Sequence, residues 1–185
     1  MASITLWSSS CYVCGRENPR GLRATVVEES PWAYVHVVPP PELAGLPGVL
    51  HGGIVTACLD EAMWYAVHIH GTASVTARID VRFVRPAAPG VPLLAVALAT
   101  PQREGSGLSR RTSWAVARLV DEQGRLIASA AARFVPVEVP AQWHRFIFRE
   151  VAAPGLVERL KGWPGAQSLC RRLEAAAAQK ERETS

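Results

Sequence analysis

Lysine is nearly missing from this chain: of its 20 basic residues only Lys161 and Lys180 are lysines, and the rest are arginine. With 16 acidic residues the net charge is +4. No basic run is longer than a pair, which argues against a nucleic-acid-binding arm and leaves a solvated basic surface or a polyanionic small molecule. Cysteine is scarce as well, and four in 185 residues cannot make a disulfide framework. No apolar run approaches the roughly 18 residues of a membrane span. Met1 to Ser10 carry neither a basic n-region nor an apolar h-region, so no signal peptide is expected. These absences predict a cytoplasmic protein with no membrane or nucleic-acid partner. Charged residues make up 19% against 49% hydrophobic ones, which excludes disorder over most of the chain and favours one core-forming domain.

Two stretches rich in Val, Thr and aromatics, Arg23 to Glu29 and Trp32 to Val38, read as strands around a Ser30-Pro31 turn. A loop with Gly45, Pro47 and Gly48 then leads to Leu50. Gly53 to His70 is the strong helix candidate, apolar around its whole circumference and ending at Gly71, so it is expected to be buried. Four β-like runs follow. In Ala73 to Arg85, Val75, Ala77, Ile79, Val81 and Phe83 alternate strictly with Thr76, Arg78, Asp80 and Arg82. Leu93 to Thr100, Arg110 to Val120 and Arg125 to Val135 complete the set, the first two joined by Glu104-Gly-Ser-Gly107 and the last two by an Asp121-Glu-Gln-Gly124 turn. The prediction is an α+β fold in which an antiparallel six-stranded sheet wraps one long central helix. Residues 1–10 are expected as a tail, 11–140 as the domain and 141–185 as a partly helical extension with a frayed end.

The helix start is unusual. His51-Gly52-Gly53 precedes it with no Ser, Thr, Asp or Asn in the cap position, although the first N–H groups of a helix need acceptors. Glycine there lets a ligand oxygen approach the N–H groups and the positive end of the helix dipole. Asp60 and Glu61 interrupt an apolar helix, where a carboxylate is costly unless paired or functional. Adjacent helix positions diverge by about 100°. Asp60 therefore falls on the side of Thr56 and Trp64 and is the functional candidate. Glu61 falls on the side of His68 and reads as a surface carboxylate. Cys11 and Cys14 form a C-x-x-C, half of a zinc site. No second C-x-x-C or paired-histidine motif completes it, and His36, Cys58 or Cys170 would join only by proximity, so no metal is expected. Cys58 reads as a small core residue. The tryptophans at 7, 32, 64, 114, 143 and 163 read as packing groups.

The run Gly48-Val-Leu-His-Gly-Gly-Ile-Val-Thr-Ala-Cys-Leu-Asp-Glu-Ala-Met63 resembles the hotdog-fold acyl-CoA thioesterase superfamily, in its phenylacetate-degradation (PaaI-like) branch. The opening Cys11-Tyr-Val-Cys-Gly-Arg-Glu-Asn-Pro-Arg-Gly-Leu22 is similar to the N-terminal segment of bacterial members. The resemblance spans about residues 11–137. It implies hydrolysis of an acyl-CoA thioester to free acid and coenzyme A. The family's general base or nucleophile falls on Asp60, and the backbone N–H that polarises the thioester carbonyl falls on Gly52, with Gly53 beside it. His51 is the motif histidine that shapes the loop. Thr76 takes the place of a hydroxyl residue contributed across a dimer interface. Met63 and Trp64 are candidates for the acyl pocket. Arg82, Arg85, Arg110 and Arg111 are candidates for coenzyme A phosphates, none singled out.

The resemblance further implies a homodimer or a dimer of dimers, and no cofactor besides the coenzyme A of the substrate. One departure stands out. Many members carry Asn or Gln about six residues before the motif histidine, where this chain has Gly45. That favours the alternative, a non-catalytic acyl-CoA-binding hotdog protein acting as sensor or carrier. A partner-binding module using the segment from Ala141, and a hotdog dehydratase, are weaker alternatives.

Overall fold

The computed structural model describes residues 3–71, 73–100, 112–138, 147–153 and 155–183. The elements run β1 (Ile4–Ser8), β2 (Thr25–Glu29), β3 (Trp32–Val37), a 3-10 turn (Pro41–Leu43), β4 (Ala44–Leu46), β5 (Val49–Leu50), α1 (Gly52–His68), β6 (Ser74–Phe83), β7 (Leu93–Ala99), β8 (Ser113–Asp121), β9 (Leu126–Pro136), β10 (Ile147–Val151), α2 (Leu156–Lys161) and α3 (Ala166–Glu183). The main sheet is antiparallel, in the order β10-β1-β2-β3-β7-β8-β9-β6. The fold is the expected α+β hotdog, a sheet packed on one central helix. The sheet has eight strands rather than six, because residues 4–8 and 147–151 also pair into it. β4 and β5 form a small separate hairpin just before α1. The Glu104-Gly-Ser-Gly107 connection, Arg110, Arg111 and Trp143 lie outside the described residues.

β7 explains the layering. All seven of its residues, Leu-Leu-Ala-Val-Ala-Leu-Ala, are buried. Leu93, Ala95, Ala97 and Ala99 face α1, joined by Ala115, Ala117, Ala128 and Ala132 of β8 and β9. Small side chains on this face let the bulky Leu59, Met63 and Tyr65 of α1 fit closely against the sheet. Leu94, Val96 and Leu98 face the other way and meet Val157, Leu160, Leu169, Leu173 and Ala177 of α2 and α3. The sheet is thus covered on both faces, and α3 runs to Glu183, into the end expected from sequence to be frayed. The Gly162-Trp-Pro-Gly165 link docks on the β8–β9 hairpin, where Trp163 Nε1 donates to the Asp121 carbonyl at 2.7 Å. Asp121 closes that hairpin by accepting from the Gln123 and Arg125 N–H groups.

Candidate active site

Helix α1 does have a cap. The His51 backbone is extended, and its Nδ1 accepts from the Gly53 N–H at 2.9 Å. The sequence offered no usual capping residue, so the expected pair of open N–H groups reduces to one. Gly53 is engaged, while the Gly52 N–H has no acceptor among the described residues. His51 is held in turn by its N–H to the Leu43 carbonyl (3.0 Å). Gly45 packs on it so closely that a Cβ at position 45 would lie 3.1 Å from His51 Cδ2. A side chain at this position would push on His51 and its cap. Phe83, at the end of β6, covers Gly52: its Cζ would sit 3.4 Å from a Cβ built there.

Asp60 is partly buried, and its Oδ1 accepts a 2.8 Å hydrogen bond from Thr76 Oγ1 of the same chain. The two residues expected to meet across an interface thus meet within one subunit. A bulge makes this possible. The β6–β9 register slips between Thr76 and Arg78, so the strict alternation expected for residues 73–85 breaks at Ala77. Thr76 thereby joins Ile79 and Val81, which pack on the core, instead of sharing a face with Arg78, Asp80 and Arg82. Re-aiming a side chain is what an inserted residue in a strand does. Trp64, one turn beyond Asp60, anchors the start of the same strand by donating from Nε1 to the Ser74 carbonyl (2.8 Å). Burial holds the Asp60 carboxyl above the usual aspartate range, and the Thr76 hydroxyl pulls it partway back.

Gly52 and Asp60 are separated along the helix. Eight residues at 1.5 Å each place them about 12 Å apart along the axis. A carbonyl oxygen on the Gly52 N–H is therefore out of reach of the Asp60 carboxylate of the same subunit.

Glu61 does not approach His68 at the surface. His68 pairs with Glu28 at 3.0 Å, whereas Glu61 Oε1 lies 3.3 Å from Cys11 Sγ. Burial, with the Cys11 charge next, pushes the Glu61 carboxyl well up. Cys11 is drawn down to about 5, chiefly by the Cys14 thiol hydrogen bond, while Cys14 is pushed up by the same contact and by burial. Cys58 is a core thiol pushed up to about 12 by burial, and Met63 is fully buried.

Residues 47–104 match the family model of the thioesterase superfamily. Through this segment the chain is similar to the thioesterase superfamily. Similar solved structures agree on the hotdog fold. The E. coli PaaI protein from the phenylacetic acid degradation operon is 22% identical, with a TM-score of 0.55 over 63% of this chain and 81% of that one. A phenylacetic acid degradation-related protein of Ralstonia eutropha is 22% identical, with a TM-score of 0.52 over 62% and 85%. A variant of PaaI from Thermus thermophilus is 25% identical, with a TM-score of 0.52 over 62% and 93%. No match is found among curated proteins. In this superfamily segment lie His51, Gly52, Gly53, Asp60 and Thr76 together.

Proposed function

We propose that this protein hydrolyses an acyl-CoA thioester, with Asp60 as general base or nucleophile and the Gly52 N–H as the donor to the thioester oxygen. The observation that carries the proposal is the Asp60–Thr76 pair, a desolvated carboxylate oriented by a hydroxyl that a strand bulge turns toward it. A carboxyl raised toward neutrality is a better proton acceptor at working pH than an ordinary aspartate. The open Gly52 N–H at the helix start suits a developing oxyanion.

For both groups to act on one thioester, the separation of about 12 Å along the helix calls for Gly52 to come from a second subunit. β6 supplies the means. It is the ten-residue terminal strand of the sheet, with Val75 45% and Phe83 54% exposed, and a long edge strand leaves unpaired N–H and C=O groups that invite pairing. A second β6 running antiparallel and centred on Ile79 and Asp80 sets Thr76 opposite the partner subunit's Phe83. Since Phe83 covers Gly52, each composite site then joins Asp60 and Thr76 of one protomer to Gly52 of its partner. Arg85 follows the same end of β6 and, with Arg118, Arg125 and Arg172, lines a cleft of about 280 Å³. Such a cluster suits the phosphates of coenzyme A.

Thiol release over short, long and aromatic acyl-CoAs tests the proposal. Asp60→Asn is expected to lower turnover by about 10²–10⁴, the usual worth of a general base. Turnover at the wild-type level in that variant would refute the assignment. Gly45 favours a second reading, binding of acyl-CoA without hydrolysis. Calorimetric binding with no thiol release from any member of the panel decides for it.

A further inference from the structure

Away from Asp60, on the face of α1 turned toward the N-terminal loop, three metal-ligating side chains converge. One ligand atom each of Cys11, Cys14 and Glu61 lies within 4.8 Å of the others. We propose that Cys11 Sγ, Cys14 Sγ and a carboxylate oxygen of Glu61 form a binding site for a zinc-class divalent cation that fastens the N-terminal loop to helix α1.

The spacing fits. Tetrahedral zinc with bonds of about 2.3 Å to sulfur and 2.0–2.2 Å to oxygen holds such ligands about 3.5 Å apart, and Cys11 Sγ and Glu61 Oε1 stand at 3.3 Å. The loop is also shaped for it. The Gly15 N–H turns back to the Cys11 carbonyl at 3.1 Å. A Cβ on Gly15 would fall 2.2 Å from that oxygen, so only glycine permits this tight turn, which carries both cysteines. The Val13 N–H donates to Cys11 Sγ at 3.3 Å, and Tyr65 Oη lies 3.3 Å from Cys14 Sγ. Groups of this kind orient thiolate ligands from outside the coordination sphere. Two sulfurs exclude Mg²⁺ and Ca²⁺, which take oxygen donors, and select a softer ion. A solvent molecule completes the four-coordinate shell. The third ligand was invisible in the sequence because it lies 47 residues from Cys14, inside a helix assigned to the core.

The test uses the full chain, purified with reductant, stripped by chelator and titrated with Zn²⁺ or Co²⁺. One equivalent of either metal is expected, with thiolate-to-cobalt charge-transfer absorption in the near ultraviolet and a melting temperature that rises with excess Zn²⁺. Cys11→Ser abolishes the cobalt band, and Cys170→Ser leaves it intact. Tyr65→Phe lowers zinc affinity by roughly 10–100-fold, with circular dichroism verifying that each variant is folded. The proposal is overturned if folded wild-type protein takes up no metal, or if Cys11→Ser still binds one equivalent with the same cobalt spectrum. Recovery of a Cys11–Cys14 disulfide whose reduction gives no zinc uptake also overturns it and makes the pair a redox couple instead.

Discussion

At the level of single residues, Asp60 carries opposite consequences for activity and stability. Its folded-state carboxyl is raised by burial, so the native state binds that proton more tightly than the unfolded chain. The resulting stabilisation is present in acid and is lost as pH rises through the folded value. Asp60→Asn keeps an oxygen for Thr76 without the buried charge. It is therefore expected to melt higher than wild type at neutral pH, with the gap closing in acid, as calorimetry at two pH values would show. Thr76 is a positioning residue, and its removal leaves a second signature. Thr76→Val takes away the one interaction that lowers the Asp60 carboxyl, so the acid limb of the kcat/KM profile moves to higher pH. A rate loss of roughly ten- to a hundredfold accompanies it, the worth of a hydrogen bond to a charged group, and Thr76→Ser restores both. An unshifted acid limb in Thr76→Val would separate the hydroxyl from Asp60 chemistry.

At the level of elements, the start of α1 is the sharpest case. Gly52 occupies the first helical position, where proline is well accepted because its missing N–H has no helical partner. His51 before it is already extended, at φ −60° and ψ 132°, as a residue preceding proline must be. Gly52→Pro is therefore expected to fold with its circular dichroism unchanged, yet to lose about 10²–10³ in turnover if its N–H is the oxyanion donor. The same elements show what a sequence displays and what it hides. The helix with Asp60 and its glycine-rich start was legible because the carboxylates interrupt an apolar run. The His51 cap was not, since histidine is no usual capping residue and the bond depends on a single ring orientation. The Ala77 bulge was hidden because Val75, Ala77 and Ile79 satisfy strict alternation as well as the bulged register does. The placement of Glu61 depended on a loop 50 residues upstream in the sequence, which helical geometry alone cannot supply. A two-sided sheet was signalled by the unbroken apolar run of β7, yet assigning one helix to the core left its second face without a partner.

At the level of the whole molecule, the two sheet faces and the one long edge differ in what they leave open. α2 and α3 cover the face opposite α1 with Leu160, Leu169 and Leu173, so a second copy cannot stack there without displacing them. β6 remains as an exposed edge, which favours a two-fold dimer whose sites each draw on both subunits. Mixing two inactive variants tests that architecture directly. A Gly52→Pro homodimer lacks the N–H in both sites, and an Asp60→Asn homodimer lacks the carboxylate in both. In a heterodimer of the two, one composite site carries both lesions and the other carries none. With free exchange half of the dimers are mixed and each has one intact site of two, so thiol release should recover to about a quarter of wild type. A site contained within one subunit recovers nothing on mixing, because every subunit present is damaged. The size of the recovery therefore reports where Gly52 acts, independently of which acyl-CoA is used in the assay.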